Sequence, residues 1–174
     1  MEQYLKVNEK EYQIEKLLGK GKGGYSYLAV DGGSKYVLKQ IHHEPCEYYL
    51  FGNKIESEIR DYQQLKEIGI QIPQMLDVDI KRERILKEYI EGETIFELVC
   101  QDRMRTEYID QVKEMCKILY AVNKNIDYFP TNFIVQNGRL YYIDYEINDY
   151  TEKWNFENWG IKYWSKTEEF KEHM

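Results

Sequence analysis

The sequence has few residues that break or cross-link a chain, with three prolines and three cysteines among 174 residues. Cys46, Cys100 and Cys116 are odd in number and widely spaced, and they form no C-x-x-C pair. Such usage disfavours a disulfide framework or a structural zinc site and is typical of reducing compartments. We therefore expect a cytoplasmic protein whose core needs no cross-links.

Positive charge is also scarce, because 24 Lys and Arg residues face 31 Asp and Glu residues and leave a net charge of −7. No long basic stripe could follow a phosphate backbone, so we expect no nucleic-acid partner. No apolar run approaches the roughly 20 residues that cross a bilayer, so we expect no membrane partner. Aromatic residues form 15% of the chain, which favours a packed domain over disorder.

The first half of the sequence predicts β-structure with one helix. Alternating segments on either side of the turn Asp31–Ser34 predict a hairpin, because Gly32 and Gly33 suit the positive φ angles of such turns. A helical pattern of apolar residues follows over 53–68. Two short apolar runs between residues 75 and 90 then predict a second hairpin.

The second half predicts two helices, at 94–100 and 107–122, followed by one small hairpin. The hairpin is indicated by the Asn-Gly pair at 137–138, which lies between two β-prone runs. In the segment after it, we expect Trp159 and Trp164 to pack in a core rather than to stack on bases. The predicted fold class is therefore α+β, with a β-rich half and a mainly helical half.

A glycine-rich segment between two predicted strands could approach an anion. Gly19, Gly21 and Gly24 form a G-x-G-x-x-G pattern, in which missing side chains let backbone amides reach phosphate oxygens. A dinucleotide-binding pattern would instead open a helix. An ordinary flexible hairpin tip is the alternative interpretation.

Lys39 lies on a strand face that it shares with Val37 and Ile41, so its charge needs a partner. The predicted helix offers Glu56 and Glu58, which lie on different helix faces. Glu58 is adjacent to the apolar stripe and is the preferred partner. Two solvated surface charges are the alternative.

Oxygen-bearing side chains surround the predicted Asn-Gly hairpin. Asp127 and Asn132 precede it and Asp144 follows it directly. Hard cations such as Mg²⁺ prefer such ligands, and a nearby aspartate can orient a hydroxyl nucleophile. Local turn chemistry would explain any one of these residues, but not all of them in this order.

Taken in order, these residues resemble the protein-kinase-like superfamily. The resemblance runs from about Leu17 to Glu146 and is carried by LGKGKGGYSYLA, VLK, KEYIEGET, DYFPTN and IDYE. The spacing of Asp127 and Asn132 matches the D-x-x-x-x-N of the kinase catalytic loop. It implies one bilobal domain, with an N-lobe over 1–89 and a reduced C-lobe over 90–174.

The resemblance also implies ATP and Mg²⁺ as cofactors, and transfer of the γ-phosphoryl group to a hydroxyl. Asp127 would orient the acceptor, while Lys39, held by Glu58, would bind the α- and β-phosphates. The other implied site residues are the phosphate-covering Gly19, Gly21 and Gly24, the adenine-binding segment Glu88, Tyr89, Ile90 and Glu91, and the Mg²⁺ ligands Asn132 and Asp144.

Two motifs depart from those of regulated protein kinases. The family's H-R-D becomes Asn125-Ile126-Asp127, and its D-F-G becomes Asp144-Tyr145-Glu146. The second tripeptide is similar to that of choline kinases and aminoglycoside phosphotransferases. The passage SEIRDYQQLKEIGIQIPQMLDVD is instead similar to small atypical kinases related to the tRNA-modification-associated kinase.

The acceptor is less constrained by these motifs than the nucleotide. In the superfamily that the sequence resembles, small-molecule phosphotransferases usually carry a large helical insertion for their substrate. The segment from Asp144 to Met174 has room for about two helices at most, so the resemblance favours a protein Ser or Thr as acceptor. A small-molecule alcohol phosphotransferase and a non-catalytic nucleotide-binding or interaction module are the alternatives. A plain β-plus-α binding domain with coincidental motifs is the simplest competing interpretation.

Overall fold

The structure, a computed structural model, describes residues 3–21, 23–43 and 53–174. The chain forms two compact units, which consist of Met1–Arg60 with Pro73–Tyr89 and of Asp61–Ile72 with Ile90–Met174. The first unit is dominated by strands and the second is mainly helical. This confirms the predicted α+β class, with a β-rich half that carries one helix and a reduced helical half.

The first unit is built on a six-stranded antiparallel sheet. Its strands are β1 (Gln3–Val7), β2 (Lys10–Lys20), β3 (Gly24–Asp31), β4 (Ser34–Ile41), β5 (Met75–Asp79) and β6 (Arg84–Glu88). Their order in the sheet is β1-β2-β3-β4-β6-β5. Most neighbours in the sheet are therefore also neighbours in the chain.

Both hairpins predicted for this unit are confirmed. Strands β3 and β4 pair from Gly24 opposite Ile41 to Asp31 opposite Ser34, and β5 pairs with β6 in the same antiparallel manner. Gly32 and Gly33 have φ angles of 54° and 91°, which suit glycine because it has no Cβ to clash.

The predicted helix is also present, as α1 (Lys54–Ile68). It ends where Gly69 adopts a φ of 99° and the Ile70 amide bonds back to the Leu65 carbonyl at 3.0 Å, a typical glycine stop. Its N-terminal turns belong to the first unit and its last two turns to the second.

One face of the six-stranded sheet carries a small apolar core. This core consists of Val7, Tyr12, Ala29, Leu38 and Leu86. Because side chains alternate along a strand, Leu38 faces this core and its neighbour Lys39 faces the other side. The register of β4 therefore places Lys39 on the same face as Ile41.

The second unit contains three more helices and short strands. These elements are β7 (Glu93–Thr94), α2 (Ile95–Cys100), α3 (Thr106–Ala121), β8 (Lys124–Asn125), β9 (Phe133–Gln136), β10 (Arg139–Tyr142), β11 (Asn148–Asp149) and α4 (Glu168–Lys171). Both predicted helices and the small hairpin are confirmed. The start of α2 is fixed by a capping box in which Thr94 and Glu97 bond to each other's backbone amides.

The larger core belongs to the second unit. The apolar stripe of α3 is buried at Val112, Met115, Cys116 and Leu119. Trp164 is also buried, at 2% exposure, and its indole N–H donates to the Tyr128 carbonyl at 2.8 Å. The predicted core role of Trp164 is therefore confirmed.

In the described part of the chain, no helix has the length and apolar character needed to cross a membrane. Cys116 is buried, and burial raises the pKa of its thiol to about 11, which makes it unreactive. Cys46 and Pro45 lie outside the described residues.

Candidate functional site

The glycine-rich segment forms the turn between β2 and β3. The Gly21 amide donates to the Gly24 carbonyl at 2.9 Å, and the His42 amide donates to the Gly23 carbonyl at 3.0 Å. The turn is therefore tied to the end of β4, the strand that carries Lys39. Lys22, at its tip, lies outside the described residues.

The glycines of the motif differ in how closely other atoms surround them. A Cβ added at Gly24 would lie 2.5 Å from the Gln40 carbonyl oxygen and 3.1 Å from Lys39 Cε. A Cβ at Gly19 would meet nothing within 4 Å. Close packing therefore requires glycine at position 24. At position 19 no neighbour requires glycine, and the space beside the backbone is open.

Lys39 is paired with Glu58. The ammonium group contacts Glu58 Oε1, and the two side chains are only 13% and 14% exposed. Glu56, the alternative partner, is exposed on α1. In the strands beside it, Ser26 and Ile85 lie directly opposite Lys39.

The Glu58 carboxylate also lies close to the glycine turn. A Cβ added at Gly23 would be 3.7 Å from Glu58 Oε1. The other carboxylate oxygen, Oε2, is buried and makes no hydrogen bond with any described residue. Since a buried carboxylate oxygen without a donor is costly, this oxygen is a place where a ligand or a water molecule could bind.

The predicted adenine-binding segment follows β6. The Glu88 amide donates to the Gln74 carbonyl at 2.9 Å, and the Glu88 carboxylate accepts from the Gln74 amide at 3.0 Å. Tyr89 follows, and its ring lies 5.7 Å from the Lys35 ammonium. Glu88 and Tyr89 belong to the first unit and Ile90, which is 3% exposed, to the second.

Lys87 precedes this segment and was not singled out from the sequence. It is 6% exposed and lies opposite Val37, on the same sheet face as Lys39. The sequence contained this signal, because Lys87 shares a strand face with the apolar Ile85 on β6, as Lys39 does with Val37 on β4.

In the second unit, the β9–β10 hairpin carries the predicted metal ligands at its open end. Phe133 pairs with Tyr142 at that end. Asn132 comes directly before β9, and its carbonyl accepts from the Ile143 amide at 2.9 Å. This bond extends the ladder by one step and holds Asn132 beside the residue that precedes Asp144.

The closed end of the same hairpin is held by α3. Asn137 and Gly138 have φ angles of 51° and 78°, as a type I′ turn requires. Gln111 donates to the Gly138 carbonyl at 2.9 Å and accepts from the Leu140 amide at 2.8 Å. The hairpin is therefore fixed at both ends.

Asp127 is linked to the same open end. The Asn132 side-chain amide donates to the Asp127 carbonyl at 3.3 Å. The Asp127 carboxylate accepts from the Phe129 amide at 3.1 Å, and the Asp144 carboxylate accepts from the Tyr145 amide at 2.9 Å. All three predicted residues of this unit are thus brought together and partly buried.

The donor set suits a hard divalent cation. Because Asn132 donates through its side-chain nitrogen, its amide oxygen remains as a ligand atom, and Asp144 supplies a carboxylate. No cluster of three or more His, Cys, Asp or Glu residues able to hold a metal occurs in the residues that the structure describes. Mg²⁺ fits a smaller set, since it commonly uses one or two protein oxygens together with substrate phosphates.

Tyr142 lies between the Asp127 and Asp144 segments and was also missed from the sequence. Its hydroxyl donates to the Glu146 carbonyl at 2.9 Å and accepts from the Asp127 amide at 3.4 Å. Burial, reinforced by the charges of Asp144, Glu146 and Asp127, raises the pKa of Tyr142 well above its usual value. The hydroxyl therefore keeps its proton at neutral pH.

Asn125 and Ile126, which replace the family's His and Arg, are both buried. Asn125 accepts from the Tyr128 hydroxyl at 3.3 Å and donates to the Thr151 carbonyl at 3.1 Å. Asn125 therefore supports the loop that contains Asp127 by tying it to a later segment of the same unit.

Comparisons with known proteins agree with the resemblance at low identity. No protein-family model matches the sequence. The chain is 28% identical over 112 residues to "EKC/KEOPS complex subunit bud32" of Dictyostelium discoideum, which covers 62% of this chain and 44% of that protein. It is 31% identical over 98 residues to "KEOPS complex subunit Bud32" of Pyrococcus abyssi, covering 55% of this chain and 44% of that protein.

A third relative is named as a kinase. The chain is 29% identical over 152 residues to "Probable serine/threonine-protein kinase YbdM" of Bacillus subtilis, covering 79% of this chain and 57% of that protein. The chain thus spans about half the length of the curated relatives it matches. One of the three relatives is named as a kinase, which agrees with the resemblance seen in the sequence.

Proposed function

We propose that the protein is an ATP- and Mg²⁺-dependent phosphotransferase that moves the γ-phosphoryl group to a hydroxyl, most directly that of a protein Ser or Thr. The observation that carries this proposal is the placement of Asn132 at the open end of a hairpin, where its side chain bonds to the Asp127 carbonyl and its carbonyl bonds to the amide of Ile143, the residue before Asp144. An aspartate beside two oxygen ligands is the set that phosphoryl transfer requires. The relative named as a serine/threonine kinase supports the choice of acceptor.

Each residue of the second unit has a distinct role in this proposal. Asp127 orients the acceptor hydroxyl and takes its proton as the oxygen attacks the γ-phosphorus, whose bond to the bridging oxygen of ADP breaks. Asn132 and Asp144 hold Mg²⁺, which when bound neutralises charge on the phosphate oxygens. The Phe129 amide keeps the Asp127 carboxylate in one orientation through its 3.1 Å hydrogen bond.

In the first unit, the roles concern the nucleotide. Lys39 binds the α- and β-phosphates, and its ion pair with Glu58 orients the ammonium group. Gly19, Gly21 and Gly24 let the turn approach the phosphates, and the open space beside Gly19 supports this role. The segment Glu88, Tyr89, Ile90 and Glu91 binds adenine through its backbone.

Nucleotide binding is tested by the thermal stability of the full chain with and without ATP and Mg²⁺. A ligand present at 100 times its dissociation constant should add about 2.7 kcal/mol of stability. The Mg²⁺-dependent part of the shift should disappear in Asp144→Ala. It should persist in Asp149→Ala, a matched control whose carboxylate is 90% exposed and pairs only with Lys124 among the described residues. No shift in the wild type would exclude ATP as a ligand.

Transfer is tested with γ-labelled ATP and candidate acceptors: the protein itself, a mixture of basic proteins, small alcohols and water. Asp127→Ala should abolish labelling or hydrolysis while it leaves the thermal shift with Mg-ATP intact. Equal turnover in Asp127→Ala and the wild type would contradict the assigned mechanism.

A non-catalytic nucleotide-binding module is the second candidate. It is favoured by Asn125 and Ile126, which put two buried supporting residues where regulated kinases have His and Arg. Two relatives are named as KEOPS complex subunits, which supports a protein partner for this chain. The net charge of −7 favours a basic surface on that partner. Binding of Mg-ATP without turnover on any acceptor would identify this function.

A further inference from the structure

One buried tyrosine connects the two segments that carry the proposed catalytic acid and metal ligand. Tyr142, the last residue of β10, is 0% exposed, and its ring packs on Phe133 with centroids 5.3 Å apart. Its hydroxyl donates to the Glu146 carbonyl at 2.9 Å. The same oxygen accepts from the Asp127 amide at 3.4 Å. A single hydroxyl group therefore contacts backbone atoms of both segments.

The geometry gives this contact a particular effect. Asp127 begins the segment DYFPTN and Glu146 ends the segment DYE. The hydroxyl bonds to the backbone of each, so it sets the distance between the segments without engaging the carboxylate of Asp127 or Asp144. Burial fixes the position of the Tyr142 ring. Its hydroxyl therefore holds the two backbone groups more tightly than a mobile side chain would.

Asn125, two residues before Asp127, does not connect the Asp127 segment to the Asp144 segment. The Asn125 side chain bonds to the Tyr128 hydroxyl and to the Thr151 carbonyl. These bonds tie the Asp127 loop to residue 151. The Tyr142 hydroxyl, in contrast, ties that loop to the segment that contains Asp144.

We propose that Tyr142 is a positioning residue, whose hydroxyl fixes the Asp127 loop against the Asp144–Glu146 segment and so sets the geometry of metal binding and transfer. This inference rests on the proposed function for its consequence, although the contact itself can be tested without any turnover. Tyr142 acts through the backbone of the segments that carry Asp127 and Asp144. Loss of its hydroxyl should therefore affect Mg²⁺ binding and turnover, and it should leave metal-free binding of ATP unchanged.

The matched pair of variants is Tyr142→Phe and Tyr141→Phe. The first keeps the buried ring and removes only the bridging oxygen. The second removes a hydroxyl from the neighbouring residue of the same strand, which is 9% exposed. The Tyr141 hydroxyl makes no hydrogen bond with the residues that the structure describes, so this variant controls for loss of a hydroxyl from β10.

The first measurement is native-state hydrogen exchange of the Asp127 amide, followed by NMR in the full chain. Loss of one hydrogen bond should accelerate this exchange by roughly fivefold to tenfold in Tyr142→Phe. Tyr141→Phe should exchange as the wild type does. Equal protection of the Asp127 amide in all three proteins would overturn the inference.

The second measurement is a Mg²⁺ titration in the presence of ATP. Because the Tyr142 hydroxyl positions the segments and does not touch a metal ligand, we expect the loss of Mg²⁺ affinity to be that of one hydrogen bond, roughly twofold to tenfold, in Tyr142→Phe. We expect no loss in Tyr141→Phe. ATP affinity without metal should be the same in all three. Unchanged Mg²⁺ affinity in Tyr142→Phe would overturn the proposed role in metal binding. If the wild type binds no Mg-ATP, the proposed function fails, and the exchange experiment alone then decides the contact.

A measurement on the wild type covers the case in which Tyr142→Phe does not fold. The proton of a buried tyrosine hydroxyl that donates to a carbonyl exchanges slowly enough to be observed by NMR. Its cross-peak to the Asp127 amide proton would support the bridge. A Tyr142 hydroxyl proton that exchanges at the solvent-limited rate would overturn it.

Discussion

Lys39 and Glu58 form an ion pair on one face of the β-sheet, with side chains that are only 13% and 14% exposed. We expect Glu58→Gln to weaken ATP binding about tenfold, because the ion pair that orients the Lys39 ammonium is replaced by a weaker bond to an uncharged amide. Adenosine, which has no phosphates, should bind both proteins equally.

The matched control for this change is Glu56→Gln, two residues earlier on α1 and exposed to solvent. ATP titrations followed by calorimetry should show wild-type affinity for this variant. Equal losses in the two variants would mean that the overall negative charge, rather than the Lys39–Glu58 pair, determines ATP affinity.

The two ends of the glycine motif should respond differently to alanine. Gly24→Ala places a Cβ 2.5 Å from the Gln40 carbonyl, so the backbone must shift, at a cost of roughly 1–3 kcal/mol in the free energy of unfolding. Gly19→Ala meets nothing within 4 Å and should leave stability within about 1 kcal/mol of the wild type. Urea unfolding checks both values. If Gly19→Ala has normal stability but binds ATP more weakly, the added methyl group keeps the ATP phosphates away from the glycine turn.

Two tryptophans provide a test of the core of the second unit. Trp164→Phe replaces the buried indole by a smaller ring and removes the N–H that bonds to the Tyr128 carbonyl at 2.8 Å. The cavity and the unsatisfied carbonyl should together cost about 2–4 kcal/mol. Trp154→Phe, at a site 49% exposed, should cost under about 0.5 kcal/mol. Similar midpoints of thermal unfolding for the two variants would argue against the core role of Trp164.

Asp79 makes stability depend on pH. Burial acts to raise its pKa, but hydrogen bonds from Arg82 and from the Asn8 amide outweigh burial and lower the pKa from 3.8 to about 2. Since the folded-state pKa is below the unfolded one, the stabilisation is present above about pH 4 and is lost as the pH falls toward about 2. We expect Asp79→Asn to cost roughly 2 kcal/mol at pH 7.

The pH prediction is checked by urea unfolding of wild type and Asp79→Asn between pH 7 and pH 3. The difference between the two proteins should shrink as the pH falls. Asp31→Asn is the control, because its pair with Lys10 is exposed at 41% and 56% and such pairs contribute under about 1 kcal/mol. A difference that stays constant with pH would contradict the assigned role of Asp79.

Features that depend on local chemistry could be predicted from the sequence. The turns at Gly32-Gly33 and Asn137-Gly138 need positive φ angles, and the residues present there indicate it. Position on a helix face was enough to prefer Glu58 over Glu56. The order of Asp127, Asn132 and Asp144 around a short hairpin predicted their grouping, because a hairpin returns the chain to its starting point.

Features that depend on which atoms meet could not be predicted in the same way. A tyrosine at 142 in an apolar strand indicates core packing, and the sequence does not show that its hydroxyl meets backbone atoms of Asp127 and Glu146. The G-x-G-x-x-G pattern likewise does not distinguish Gly19 from Gly24. In the structure, neighbouring atoms leave no room for a Cβ at Gly24, whereas there is room at Gly19. Such differences depend on packing between segments far apart in sequence.

The strand order of the six-stranded sheet has a consequence for how fast the first unit folds. Four of its five pairings join strands consecutive in the chain, and only β4 with β6 does not. Hairpins between consecutive strands close short loops and form within microseconds. The β4–β6 pairing, from Tyr36 opposite Glu88 to Gln40 opposite Arg84, must close a loop of more than forty residues and carries the largest entropic cost. Formation of the sheet is therefore limited by the one pairing that aligns Lys39 with β6, after the hairpins on either side have formed.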